Sequence, residues 1–240
     1  MGSFVVCISM GWFFVFVGVF NMKKSILVLA FVAVAAVAWA NSPVIPIPPW
    51  RGEENTTLEE WQFNTDANPA APDLVVNPYG VPVGVIETGF LSEGWIDSLP
   101  GVFGNQQGFW DLGGEGGSIT LNIPNRPVTA EFKEIWVAVT YFQDISAAPT
   151  VSIPGASLYG QQYNPIVIES VPTGGDWITQ VSIWRMYPNP DCEQIIIMTD
   201  PQWGSLVSNV TVDTICVPEP ATLTLLALGG LGLLIRRRRS

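Results

Sequence analysis

The 240-residue chain is predicted to be all-β: one β-sandwich of jelly-roll type, flanked by an N-terminal signal segment and a C-terminal transmembrane helix. Three observations carry this reading. Between residues 51 and 216 the helical period is almost absent, and short runs of β-branched and aromatic residues alternate with Gly, Pro, Asn and Asp clusters. Within those runs polar and apolar residues alternate, as in Ser118-Ile119-Thr120-Leu121-Asn122-Ile123, the pattern of a half-buried antiparallel strand. Long apolar stretches without charge occur only at the two ends.

The N-terminal end reads in two pieces. Phe4 to Phe20 is nearly all apolar; residues 1–21 read either as a start assigned too early, with Met22 the initiator, or as an extra membrane segment. Residues 22–40 have the three parts of a secretory signal peptide. Lys23 and Lys24 form the charged region, Ile26 to Val37 the apolar region, and Ala38-Trp39-Ala40 the small-x-small box, with cleavage expected before Asn41. Residues 41–57 open with four prolines by position 49 and read as a linker or leading arm.

Residues 58–216 are the predicted sandwich. Its expected strands are Leu58–Asn64, Gly117–Ile123, Glu134–Phe142, Thr150–Ile153, Pro165–Val171, Asp176–Tyr187, Glu193–Thr199 and Leu206–Thr214, with weaker extended segments at Val81–Glu87 and Phe103–Leu112. In Glu134–Phe142 both faces are apolar: Ile135, Val137, Val139 and Tyr141 share one, and Trp136, Ala138, Thr140 and Phe142 the other. That strand is predicted to be central, its second face covered by a loop or serving as a binding surface.

Residues 217–240 form the last element. Val217-Pro218-Glu219-Pro220 precedes the uncharged run Ala221–Ile235, which is followed by Arg236, Arg237, Arg238 and Arg239. As a helix the run covers roughly 22 Å at about 1.5 Å per residue. That is short of the roughly 30 Å hydrocarbon core, a mismatch that snorkelling arginines and local thinning accommodate. The arginines place the C-terminus in the cytoplasm. The three-part pattern resembles the PEP-CTERM sorting signal of bacterial surface proteins. That resemblance implies export to the surface of a double-membrane bacterium after inner-membrane tethering. It also implies recognition of Pro218, Glu219 and Pro220 by an exosortase, which cuts near them.

Composition narrows the function. The exported part, residues 41–216, carries four basic residues against twenty acidic ones, a net charge of −16. Nucleic-acid binding draws on phosphate neutralisation, so a nucleic-acid partner is not expected. There is no histidine, which removes Ser-His-Asp and Cys-His nucleophile systems in their usual forms. Gly113-Gly114-Glu115-Gly116-Gly117 precedes a strand, whereas a phosphate loop follows one and opens a helix, so it reads as a turn. Glycoside hydrolysis needs two facing carboxylates; Glu59, Glu60, Asp97, Glu131 and Glu134 are available, but nothing pairs them, and they read as solvated strand ends. The chain is therefore expected not to be an enzyme. Cys192 and Cys216 remain after export into an oxidising compartment, which predicts a disulfide worth about 3 kcal/mol; two separate thiols are the alternative.

A second resemblance covers most of residues 55–216. Leu58-Glu59-Glu60-Trp61-Gln62-Phe63, Gly94-Trp95, Gly108-Phe109-Trp110, Gly116-Gly117-Ser118-Ile119 and Val210-Thr211-Val212-Asp213-Thr214 are similar to the galactose-binding-like sandwich domains of many planctomycete and verrucomicrobial PEP-CTERM cargoes. That likeness implies a glycan-binding or structural module, with exopolysaccharide as a partner. Of the eight tryptophans in the exported part, five or six are expected to fill the core. Trp95, Trp110 and Trp203, in glycine-rich loops, are the expected sugar-stacking platforms. By the same analogy a structural Ca²⁺ is held by carboxylates of the first and last strands, here Glu59, Glu60 and Asp213.

Overall fold

A strand buried on one side needs an apolar residue at every second position, and the chain supplies this frame repeatedly. The computed structural model describes residues 44–126, 132–143, 146–159, 164–172 and 174–217. Thirteen strands form among them: β1 Thr56–Trp61, β2 Leu74–Val76, β3 Val83–Glu87, β4 Gly94–Ile96, β5 Phe109–Asp111, β6 Ser118–Pro124, β7 Phe132–Gln143, β8 Thr150–Ser152, β9 Ala156–Leu158, β10 Ile166–Ser170, β11 Asp176–Met186, β12 Cys192–Met198 and β13 Leu206–Val217. The only helix among the described residues is one turn, Pro100–Phe103. No described helix is long and apolar enough to cross a membrane. The expected signal peptide at 22–40, with the segment 1–21 before it, and the expected span 221–235 lie outside the described residues.

The larger sheet runs β10-β11-β7-β13-β1-β2, with β9 beside β11 and the pair β5-β4 beside β13; the smaller runs β3-β6-β12-β8. Every pairing is antiparallel. All eight expected strands form. Val83–Glu87 and Phe109–Asp111 lie within the two weaker segments, and Phe103 ends the helical turn instead. β1 begins at Thr56, inside the segment expected to be linker. Three strands were not expected, β2, β4 and β9, each of three residues.

The inward frames of the two sheets meet in one apolar layer. Ile135, Val137, Val139 and Tyr141 of β7 join Val210 and Val212 of β13 and Trp61 of β1. The opposite sheet contributes Ile119, Leu121 and Ile123 of β6, with Ile195 and Ile197 of β12. β7 is central, as expected, and its outer face is covered twice. Over one end, Phe103 and Phe109 pack on Phe142 and Trp177, with ring centroids 5.0 to 5.4 Å apart. The Trp177 indole N–H donates to the Phe103 carbonyl at 2.8 Å. Over the other end, Ile45 and Trp50 pack on Trp136, Val181 and Ile183. Trp50 meets Trp136 edge-on at 6.4 Å, and both indoles donate to Glu134 Oε1. The proline-rich arm from Val44 is thus part of the domain's cover.

Candidate functional site

Five strands change character at the same end of the sandwich. Following the inward frame of β7 back from Ile135 reaches Lys133; in β12, back from Ile195 reaches Glu193; in β1, back from Trp61 reaches Glu59 and Thr57. Following β6 forward from Ile123 reaches Asn125, and β13 forward from Val212 reaches Thr214 and Cys216. All seven of these residues are buried, so the apolar layer ends in a polar compartment closed to water.

Lys133 Nζ lies 2.7 Å from Glu193 Oε1, with both side chains fully buried. The contact is an ion pair of poor hydrogen-bond direction, and neither Glu193 oxygen accepts a well-aligned bond. Lys133 Nζ donates its aligned bond to Asn125 Oδ1 at 2.5 Å. Beside them Glu59 accepts from Asn77 Nδ2 at 2.9 Å and from the Thr57 hydroxyl at 3.3 Å. Thr57 and Thr214 hydroxyls are 2.8 Å apart. Burial is the main force on Glu59 and raises its pKa to about 8; the Asn77 bond opposes this and the Glu193 charge adds to it. Burial also raises Glu193, against the pull of Lys133. Holding its proton, Glu59 leaves the compartment with one ammonium and one carboxylate, a far cheaper arrangement than two buried anions.

The sequence-predicted residues are distributed otherwise than expected. Glu59 is not a solvated strand end but fully buried, because it shares the inward frame of Trp61. Glu60, its neighbour, faces away and accepts from Gln62 and Asn209. Asp213 pairs with Leu58 across the ladder, so it too is on the face opposite Glu59, and its carboxylate is held by the Arg51 guanidinium in a two-bond fork. Burial raises Asp213 although Arg51 pulls it down. Strand parity thus keeps the three expected Ca²⁺ ligands from converging. Among the described residues no group of three or more His, Cys, Asp or Glu could hold a metal ion.

The expected Cys192–Cys216 disulfide is not formed; the two are separate thiols. The same parity explains it. Glu193 occupies the inward position of β12, so Cys192 points outward and is exposed, whereas Cys216 points inward and lies 3.5 Å from Asn125 Oδ1.

Glu134 is also no solvated end. Burial pushes its pKa up, but bonds from Trp136, Arg185 and Trp50 outweigh that and hold it below the usual carboxylate value. Arg185 in turn lies over the Tyr159 ring, 3.3 Å from its centroid. Glu131 lies outside the described residues, and Asp97 accepts from the Gly108 amide through its backbone carbonyl. The glycine-rich segment is a tight turn: Gly113 and Gly116 have positive φ, and a Cβ on Gly117 would collide with the Leu112 carbonyl oxygen.

Of the eight tryptophans, Trp61, Trp110, Trp136 and Trp177 are buried, fewer than expected, and Trp50, Trp95 and Trp184 are half-buried. Trp95 and Trp110 are not platforms. They are cross-strand partners in β4 and β5; Trp95 donates its N–H to the Phe63 carbonyl at 2.7 Å, and Trp110 belongs to the inter-sheet core. Trp203 differs, being 66% exposed. It sits on a turn closed by Asp200 Oδ1, which accepts from the Gln202 and Trp203 amides at 2.9 and 2.8 Å. Its ring borders a cleft of about 300 Å³ lined by Phe90, Leu91, Asp111, Ser146 and Gln202. A depression of about 530 Å³ that Trp203 also borders is lined by Tyr141, Gln143 and Ser146. Phe90 and Leu91 are largely exposed as well, so a set of apolar side chains stands open beside polar groups.

Comparison with known proteins finds one likeness. Residues 217–239 match the PEP-CTERM protein-sorting motif, which supports an exported protein sorted to the cell envelope and processed by an exosortase. The comparisons with curated proteins and with solved structures find no match. The likeness of residues 55–216 to galactose-binding-like domains therefore rests on the residues quoted for it.

Proposed function

We propose that the chain is a non-enzymatic cell-surface or extracellular-matrix protein, held at the inner membrane by its C-terminal span until an exosortase cuts it near Pro218-Glu219-Pro220. The observation that carries the reading is the junction at Val217. It is the last residue of β13, paired with Phe132 of β7, and the first residue of the sorting motif. The described ladder reaches Val217, where the motif begins, so removing residues 218–240 leaves every described strand pairing in place. Four carboxylates that support the non-enzymatic part are withdrawn from acid–base work: Glu59 and Glu193 are sealed from water, and Glu134 and Asp213 are each held by an arginine. Deleting residues 218–240 tests this. The truncated domain is expected to fold and leave the envelope fraction; retention there at the level of the full chain contradicts the sorting role.

The cleft beside Trp203 favours a second reading, a module that binds exopolysaccharide. An exposed indole flanked by Asp111, Ser146 and Gln202 offers a stacking face with hydrogen-bonding groups around it. A glycan array on residues 41–216, with and without Ca²⁺, tests it. Binding that is lost in Trp203→Ala supports the reading, and no binding above background removes it.

A further inference from the structure

The polar compartment contains more than an ion pair. Lys133, Asn125 and Glu193 are a nucleophile, an acyl group and a base; Lys133 Nζ lies within hydrogen-bond reach of both others, and all three are shut off from solvent. Each atom of the Asn125 amide is held. Its Oδ1 accepts from the Arg126 backbone N–H at 2.8 Å, from Lys133 Nζ at 2.5 Å and from the Cys216 thiol at 3.5 Å. Its Nδ2 donates to Asn189 Oδ1 at 2.5 Å and to the Pro190 carbonyl at 2.9 Å. Asn189 is itself buried and fixed by a bond to the Arg126 carbonyl at 2.9 Å. A carbonyl oxygen with several donors is polarised toward attack, and an –NH₂ group gripped by two acceptors cannot rotate away.

We propose that Lys133 and Asn125 join in an intramolecular amide bond, with Glu193 as the proton carrier. Glu193 Oε1 takes a proton from the Lys133 ammonium, and the freed amine attacks Asn125 Cγ. A new C–N bond forms from Nζ, and negative charge develops on Oδ1, facing the Arg126 N–H. Glu193 keeps that proton, and the second proton that Nζ must lose passes to Nδ2 on the same tetrahedral carbon. The Cγ–Nδ2 bond breaks and ammonia leaves. The balance closes: an ammonium, a carboxylate and a primary amide become a secondary amide, a carboxylic acid and ammonia. Nothing is oxidised or reduced, and no outside reactant enters. Glu193 ends protonated, in a place where burial already favours the neutral carboxyl.

Three physical effects favour the step. Fixed contact replaces a bimolecular encounter, an advantage that reaches effective molarities of about 10⁵ M or more in well-oriented cases. Water is excluded, so hydrolysis of the amide does not compete. Removing an ammonium–carboxylate pair from a dry interior relieves its desolvation cost. The bond would tie the end of β6, in the smaller sheet, to the start of β7, in the larger one. In register Lys133 stands opposite Cys216, next to the residue where the tail leaves. The cross-link therefore lies at the end of the sandwich where β13 reaches Val217.

The test is the mass of the full native chain, measured beside the same chain kept in denaturant since its synthesis. The folded protein is expected to be one ammonia lighter, and the denatured chain to have its full mass. Fragmentation should release no backbone fragments from cleavages between Asn125 and Lys133, since the cross-link holds both halves together. In Glu193→Gln, with folding checked by circular dichroism, the full mass should return. A native chain of full mass overturns the proposal, as does ammonia lost elsewhere or a loss of water that joins Lys133 to Glu193. A folded Glu193→Gln that still carries the bond overturns the role of Glu193.

Discussion

Replacing Glu59 by glutamine should make the domain's stability less sensitive to pH, in a direction fixed by the compartment around it. The unfolded carboxyl ionises near its ordinary 4.5, while the folded one keeps its proton up to about 8. A group raised in this way contributes stability that is complete below pH 4.5 and is lost as pH climbs through about 8. At about 1.4 kcal/mol for each tenfold change in proton affinity, the whole loss is on the order of 5 kcal/mol. Glutamine mimics the protonated carboxyl. Its oxygen can still accept from Asn77, and its –NH₂ can donate to Thr57, whose hydroxyl then bonds to Thr214. Wild type and Glu59→Gln are therefore expected to be about equally stable at about pH 5, and the variant to be the more stable by several kcal/mol at about pH 8.5. Urea unfolding at a series of pH values measures this. The difference between the two curves isolates Glu59 from Glu193 and Asp213, which are also raised and give both proteins a slope of the same sign. Parallel curves across that range would refute the buried, protonated state of Glu59.

Lys133→Met removes the group that Glu193 and Asn125 share, as an ammonium before the amide bond forms and as the amide after it, and should cost about 3–5 kcal/mol at neutral pH, read by urea unfolding. Trp177→Ala empties the centre of the outer aromatic cluster and should cost about 3–5 kcal/mol, seen as a lower thermal midpoint. Trp203→Ala should change stability by less than about 0.5 kcal/mol, because the ring is mostly in water, while removing any glycan retention on an affinity column. A Cβ on Gly108 would collide with the Phe63 carbonyl at a positive φ, so Gly108→Ala should destabilise by at least about 2 kcal/mol in the same unfolding assay.

The strands were legible because alternation is a local signal. Ser118–Ile123 and the two-faced run through Trp136 and Phe142 report their burial without knowledge of any partner. The polar compartment was present in the same frames and was missed one step away. Lys133, Glu193 and Glu59 each continue an inward apolar series, but a charged residue at a strand end is ordinarily solvated, and only the facing sheet shows that water is excluded. Counting parity would have corrected two other expectations from sequence. Cys192 precedes the inward Glu193 and must point out, and Glu59 and Glu60, being adjacent, cannot share a face. Other features are not local. Asn77 and Asn189 reach the compartment from loops, and Trp95 and Trp110 are held by three-residue strands whose pairing depends on β13.

On the proposed reading, a folded sandwich is delivered by a tail that is then removed. The most direct measurement is the terminal sequence and mass of the protein recovered from the envelope and medium of the cells that make it. The expected chain begins at Asn41 and ends near Pro218-Glu219-Pro220, with the ladder through Val217 intact. A mature surface protein that still carries Arg236 to Ser240 would contradict it.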